Sequence, residues 1–377
     1  MAENKVYTAI GLMSGTSLDA VDAALIETDG YSYIKPLSFI SLPYEESIRA
    51  EIRACYGQKD RSAPVVQAAE KIVATEHVKA VKALLDHAKI TASDVDLIGF
   101  HGQTIYHAPK DGVTHQIGDA SLLAQEAGID VVADFRSNDV KLGGEGAPLA
   151  PLYHWARIHS AKQEFPVVVL NIGGVSNSTW LGANDDEIMA FDCGPGNALM
   201  DDWVQRHTGK RYDEDGRLAE SGATKTELVE EWLQHDYFAR PAPKSMDRDQ
   251  WDIAGLGKLT HELNELSIED GAATFLKFTV EAIVKGVEQM PSPPKHWYAC
   301  GGGRHNKALM KHLAQRLSEL GYGALHSVDD LGWDGDATEA ECFGYLAVRS
   351  KLGLFLSLPT TTNTPAPCTG GVYYKRS

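Results

Sequence analysis

Asp192 stands in the run Phe191-Asp192-Cys193-Gly194-Pro195-Gly196-Asn197, after an apolar stretch and before a turn of Gly and Pro. A carboxylate at a strand end is well placed to act as a general base. The same position suits a turn or N-cap aspartate, and both readings stand at this level. Cys193 is a poor thiolate candidate, because a neighbouring negative charge raises a thiol pKa.

Three further segments carry the chemistry of anion binding. A phosphate turn needs backbone N–H groups aimed at the anion, and Gly where a Cβ would block approach. Met13-Ser14-Gly15-Thr16-Ser17 adds hydroxyl donors, and Asp19 adds an acid that can hold a metal through water. Asn171-Ile172-Gly173-Gly174-Val175-Ser176-Asn177 offers the same chemistry. Gly301-Gly302-Gly303-Arg304-His305-Asn306 ends a short strand and opens a helix, a suitable place for a nucleotide. Each turn alone reads more often as an ordinary loop; three at strand ends in one chain shift the balance towards phosphate. No G-x-x-x-x-G-K-[ST] and no G-x-G-x-x-G after a strand occurs, which argues against a P-loop NTPase or a Rossmann dehydrogenase.

His101, His107 and His115 are spaced by six and eight residues, which suits no helical metal pair, and H-E-x-x-H is absent. His101-Gly102-Gln103-Thr104 instead groups polar side chains at the end of a buried strand, where His101 and Thr104 are placed to bond a substrate. Asp134 and Arg136 end the next strand and line the same region or form a local ion pair. Glu339 and Glu341 open a helix, where the helix dipole alone would favour acids.

These residues need elements to position them. Val6–Met13, Val21–Ile26 and Ile34–Leu42 read as an antiparallel meander. Apolar residues at intervals of three and four predict one helix from Pro64 to Ile90. Val95–Phe100 reads as a strand, Asp119 as the N-cap of a helix, and Ile129–Ala133 as another strand. The order is βββαβαβ. The Gly/Pro-rich loop 141–151 marks a domain boundary. Strands at Pro166–Leu170, Thr179–Leu181 and Ile188–Phe191 follow, then a helix from near Asn197. A helix over Gly271–Gln289, a strand at Trp297–Ala299 and a helix over Glu339–Leu352 complete the pattern. Both halves open with strand, Gly-turn, strand. The expected domains are 1–145, with the tail 353–377 packing back on it, and 146–352.

Composition narrows the class. The chain has 377 residues, 43% of them hydrophobic and 23% charged, the profile of a folded protein long enough for two domains. Its 35 Lys and Arg against 52 Asp and Glu leave a net charge of −17, which disfavours general binding to nucleic acid or an anionic membrane. The five cysteines show no C-x-x-C spacing, so a reducing cytoplasm is expected. The N-terminus lacks a signal-peptide pattern. No uncharged apolar run approaches the roughly 18 residues of a membrane span.

Taken together, Gly11-Leu12-Met13-Ser14-Gly15-Thr16-Ser17-Leu18-Asp19 resembles the opening signature of the anhydro-N-acetylmuramic acid kinases. Gly99–Thr104, Asp134-Phe135-Arg136, Asn171–Gly174, Phe191–Asn197 and Gly301–Gly303 with Asn306 follow in the family's order. Ala20 departs from the frequent Gly of the family, and Pro367–Gly371 is only loosely like its ending. The resemblance implies an α/β, two-domain actin/hexokinase-like (ribonuclease H-like) fold with a central interdomain cleft.

The resemblance also implies the reaction. ATP with Mg²⁺ phosphorylates O6 of 1,6-anhydro-N-acetylmuramic acid while water opens the anhydro ring, giving N-acetylmuramic acid 6-phosphate and ADP in murein recycling. Asp192 would be the catalytic base. Gly11, Met13, Ser14, Gly15, Thr16, Ser17, Asp19, Gly173 and Gly174 would serve the phosphates. Gly301, Gly302, Gly303 and Asn306 would serve the adenosine. His101, Thr104, Asp134, Arg136, Gly194, Asn197 and Glu339 would contact the sugar, with Arg136 on its lactyl carboxylate. Mg²⁺ would travel with ATP, without a dedicated protein cage. A homodimer fits the fold. The competing expectations are another sugar kinase of this fold, indifferent to the anhydro ring, and an ATP-dependent binding or regulatory module.

Overall fold

The computed structural model describes residues 4–246 and 261–376. The chain forms two compact units, Met1–Lys162 with Asp336–Ser377, and Gln163–Gly335.

In the first unit, β1 (Tyr7–Ser14), β2 (Ala20–Thr28) and β3 (Ile34–Pro43) form an antiparallel meander. The inner halves of β4 (Leu97–Ala108) and β6 (Val131–Ala133) extend it in parallel from β1, while β5 (Val113–Ile117) pairs with the outer half of β4. The C-terminal strand Val372–Tyr374 closes the far edge, antiparallel to β6. Helix α1 (Pro64–Ala88) covers one face through Val66, Ala69, Val73, Val81 and Leu84, the apolar stripe that its periodicity demands. It ends where Lys89 turns left-handed, at φ 57°. Helix α2 (Ala120–Ala127) starts on Asp119, whose Oδ1 accepts from the Leu122 amide at 2.9 Å.

The second unit repeats this plan. Strands β7 (Val167–Ile172), β8 (Val175–Leu181) and β9 (Ile188–Pro195) are antiparallel. Parallel strands β10 (His296–Cys300) and β11 (Ala324–Ser327) then complete the order β11-β10-β7-β8-β9. In both sheets the first strand is central, with the meander on one side and parallel strands on the other. That repeated topology is the ribonuclease H-like arrangement expected above.

Two boundaries differ from expectation. The units divide at Lys162/Gln163 and Gly335/Asp336, rather than at 145/146 and 352/353. Helix α3 (Pro151–Ser160) belongs to the first unit because its Arg157 and Tyr153 bond Glu341 of the Thr338–Lys351 helix in a buried ion-pair cluster. That helix in turn lies directly on β1 and β4: a Cβ at Gly11 would sit 1.7 Å from the Ala340 carbonyl oxygen, and one at Gly99 2.0 Å from that of Phe343. Strand β4 also continues through His101 to Ala108, because β5 supplies a partner beyond the point where β1 ends.

Gly11→Ala should therefore destabilise the first unit by at least about 2 kcal/mol, since backbone must move to admit the methyl. Urea denaturation of the full chain, followed by fluorescence, measures this; an unchanged midpoint would show that the helix does not pack so closely.

Candidate active site

The β1–β2 turn of the first unit is tied down by side chains around it. The Ser14 hydroxyl donates to Gln103 Oε1 at 2.6 Å and accepts from the Tyr44 hydroxyl at 3.0 Å. Gln103 Nε2 reaches the Gly15 carbonyl at 3.2 Å, and the Tyr56 hydroxyl reaches that of Thr16 at 2.8 Å. Leu18, at φ 58°, closes the turn through its amide to the Gly15 carbonyl. The amides of Gly15, Thr16 and Ser17 donate to no protein acceptor among the described residues, and Thr16, Ser17 and Asp19 are exposed. A rigid turn with unspent amides is suited to an anion. Ser14 itself is buried and its hydroxyl is occupied. Gly11 lies buried in β1 beneath the helix, so packing, not phosphate, accounts for it. Met13 is half-buried near the end of β1.

The sugar-side candidates of this unit gather in one region. His101 is buried, and its Nε2 accepts from Arg136 Nε at 3.2 Å and from Nη2 at 3.1 Å. It is therefore the neutral tautomer, with Nδ1–H donating to the Gly102 carbonyl at 2.9 Å. Burial and the Arg136 charge hold its pKa well below the usual histidine value. Arg136 Nη1 also bonds the Gly146 carbonyl at 2.7 Å, which leaves N–H groups on both Nη atoms for a ligand. Asp134, left-handed at φ 57°, accepts from Ser137 rather than pairing with Arg136. His101, Asp134, Arg61, Glu70 and Gln116 line a cavity of about 340 Å³, and Thr104 Oγ1 accepts from Gln116 Nε2 at 3.1 Å. Glu339 is solvent-reachable in the first turn of its helix, yet surrounding protein pushes its pKa up while Arg136 pulls it down.

In the second unit three motifs meet backbone to backbone. The Gly173 carbonyl accepts from the Asn197 amide at 2.7 Å, and that of Gly174 from Gly196 at 2.9 Å. A Cβ at Gly196 would lie 2.2 Å from the Gly173 oxygen, and one at Gly303 2.3 Å from Ile172 Cγ2. Gly301, at φ 76°, leads the chain out of β10 above Asn171. Beside this junction Asn197, Met200, Asp201, Tyr212, Gly302 and His305 line a cavity of about 440 Å³. Asn197 Oδ1 is buried and accepts from nothing among the described residues. Asn306 caps helix α4 (Lys307–Glu319), its Oδ1 accepting from Leu309 at 3.0 Å. Asn197 thus stands with the glycine triplet of its own unit. Gly194 is a packing position, since its Cβ would meet that of Ala282 at 2.8 Å.

Asp192 is half-buried on β9, the outermost strand of its sheet. Its Oδ2 accepts from the Met246 amide at 2.7 Å, its own amide donates to the Lys244 carbonyl at 2.9 Å, and the Tyr237 hydroxyl donates to its carbonyl at 2.7 Å. Neighbouring Cys193 is buried, which pushes its thiol up to about 12, with the Asp192 charge only adding to that. Burial rather than the adjacent acid is the larger reason that it is no nucleophile.

The anhydro-N-acetylmuramic acid kinase family matches residues 7–376 of the sequence. The chain belongs to that family. The curated anhydro-N-acetylmuramic acid kinase of Rhizorhabdus wittichii is 46% identical over 372 residues, covering 97% of this chain and 98% of its own. That of Rhodospirillum rubrum is 44% identical over 367 residues, covering 97% and 94%. That of Zymomonas mobilis is 45% identical over 371 residues, covering 96% and 98%.

For this family member, sequence reasoning missed Gln103, Tyr44 and Tyr56 as supports of the β1–β2 turn, and Tyr237, Lys244 and Met246 as supports of Asp192. Gln103 lay within a quoted motif; the others carry no local signal, since their roles arise from contacts 30 to 54 residues away.

The first unit buries His77, His101 and His154 as neutral rings, with His77 lowered to about 4 and His154 to about 3, mainly by burial. Their folded pKa values lie below the unfolded value near 6.5, so the unfolded chain binds more protons as pH falls. Stability is full above about pH 6.5 and is lost as pH falls from there through about 4 for His77 and about 3 for His154. His77 alone should account for roughly 3 kcal/mol of that loss. Urea midpoints from pH 7.5 to 4.5 check this, and His77→Gln should flatten the slope.

Proposed function

We propose that this chain is an ATP-dependent kinase that opens 1,6-anhydro-N-acetylmuramic acid with water and phosphorylates its O6. The observation that carries the reading is the family match across nearly the whole chain, with relatives that carry that substrate in their names at 44–46% identity. The products are N-acetylmuramic acid 6-phosphate and ADP, as murein recycling requires.

Asp192 takes a proton from water as the water oxygen attacks C1. The C1–O6 bond breaks, and its electron pair becomes the nucleophile on O6. O6 attacks the γ-phosphorus of ATP, and ADP leaves. Ordinary glycoside hydrolysis needs a second carboxyl group to protonate the leaving oxygen. Here the phosphoryl group captures that oxygen, so one base suffices. The Met246 amide supports the reading, since it fixes one carboxylate oxygen in place.

The free amides of the Gly15–Ser17 turn fit the terminal phosphates, and Gly173 and Gly174 offer a second glycine turn. The second unit's cavity, with the unsatisfied Asn197 oxygen, fits a nucleoside; we therefore assign Asn197 to the nucleotide with Gly301, Gly302, Gly303 and Asn306. Arg136, backed by His101, fits the lactyl carboxylate, with Thr104 and Asp134 nearby and Glu339 orienting sugar or water. Mg²⁺ bound with ATP would offset charge on the phosphates, and exposed Asp19 fits it through water. No helix among the described residues is long and apolar enough to cross a membrane, and we propose action in the cytoplasm.

ADP release with product mass tests the reaction. Turnover is expected with the anhydro sugar alone, and the product should be heavier than that sugar by a phosphoryl group (HPO3) and one water. Equal turnover with N-acetylmuramic acid would instead make the chain a general sugar kinase. Asp192→Asn should lower kcat at least about 10³-fold while leaving nucleotide affinity within about twofold. Near-normal turnover in that variant, measured in the same assay, would remove Asp192 as the base.

A further inference from the structure

Lys244 is an anomaly in this chain. It is 4% exposed, yet no carboxylate pairs with it among the described residues. A buried ammonium is expensive unless local dipoles replace water. Here the replacement is visible. Lys244 Nζ donates to the Tyr237 carbonyl at 3.1 Å, leans towards that of Phe238 at 3.5 Å, and lies 4.6 Å from the centre of the Tyr237 ring. The ammonium thus holds residue 244 against residues 237 and 238, closing a loop of eight residues, with Met246 two residues beyond it.

That loop is what fastens Asp192. Among the described residues β9 is an edge strand, so non-strand segments meet the outward backbone groups of Asp192. Tyr237 takes its carbonyl, Lys244 its amide and Met246 its carboxylate. These three anchors come from residues 237–246. Phosphate binding by Lys244 is disfavoured, because its head is buried and turned towards carbonyls of its own loop.

We propose that Lys244 is a positioning residue for Asp192: its ammonium closes the 237–244 loop, and that closure sets where the Met246 amide, two residues on, meets the carboxylate. The inference rests on Asp192 being the base. The charged or titratable groups facing Lys244 are Cys193, Arg240 and Lys285, and burial lowers the lysine's own pKa. With the loop opened, the carboxylate loses a donor that favours its charged form, so its pKa rises.

The test is the pH dependence of kcat/KM, with ATP and the anhydro sugar, for the full-length chain and three variants. Lys244→Met keeps the apolar stem. It should lower kcat about 10- to 100-fold, leave KM for both substrates within about twofold, and move the acid limb to higher pH. Tyr237→Phe removes only a hydroxyl from the same clasp and should shift the limb in the same direction by less. It carries the test if Lys244→Met does not fold: a folded Tyr237→Phe with an unmoved limb and unchanged kcat overturns the proposal. So does a folded Lys244→Met with the parent's profile. Asp192→Asn separates the two readings. If it retains activity, the base assignment fails first; if it is dead while both clasp variants behave as the parent, only the clasp fails.

Discussion

Backbone touches backbone at a handful of glycines, and the rest of both units is arranged around those contacts. In the first unit, Gly11 and Gly99 admit the Thr338–Lys351 helix so closely that any Cβ would overlap its carbonyl oxygens. In the second, Gly196 brings the end of β9 against the backbone of the β7–β8 turn, while Gly303, beyond β10, leaves room for the side chain of Ile172. These contacts explain why glycine recurs in segments that otherwise look like phosphate loops. Some glycines bind nothing: Gly11 and Gly194 exist so that neighbours can approach. Others, such as Gly15, keep an amide that no described protein acceptor takes.

That distinction governs what could be read without coordinates. The glycine turns, the doubled strand-turn-strand pattern and α1 were legible because each follows from local periodicity or a short run of residue types. Which glycines face a ligand was not, since Gly11 and Gly15 differ only in what lies across from them. Strand β5 was missed for a similar reason. Val113–Ile117 is short, with Thr, His and Gln inside it, and it becomes a strand only by pairing with β4. Helix Thr338–Lys351 was placed in the wrong unit because its ties to α3 and β1 cross more than 180 residues of sequence. Asp192 was visible from its motif, whereas the loop that holds it was not, since nothing in Pro241-Ala242-Pro243-Lys244 announces a lysine turned inward.

The first unit also shows an arginine oriented by uncharged partners. Arg136 is not matched by a carboxylate at ion-pair distance among the described residues. Its partners are a neutral imidazole and a carbonyl, both acceptors without net charge. Glu339, and to a smaller extent Asp139, act on the cation through the field rather than as bonded partners, and the uncharged pair orients it. For this to hold, His101 must stay unprotonated, and burial together with the arginine's own field keeps it so. A protonated ring would turn from acceptor to competing cation, so arginine geometry and histidine protonation state are one arrangement rather than two.

On the proposed reaction, the same economy answers a problem posed by the net charge. A chain at −17 must take up a nucleoside triphosphate and a sugar acid, both anions, against its own field. A basic surface patch would serve, but none of the motifs supplies one. What the turns present instead is backbone amides, whose partial charge does not titrate and whose direction is set by the fold. Salt screens a diffuse acidic surface over about 8 Å at physiological strength, so its repulsion fades close to the protein, while amides act at contact distance. Recognition then depends on turn geometry more than on net charge. This is why the side chains that brace the β1–β2 turn, Gln103, Tyr44 and Tyr56, matter as much to an anion there as any group that touches it.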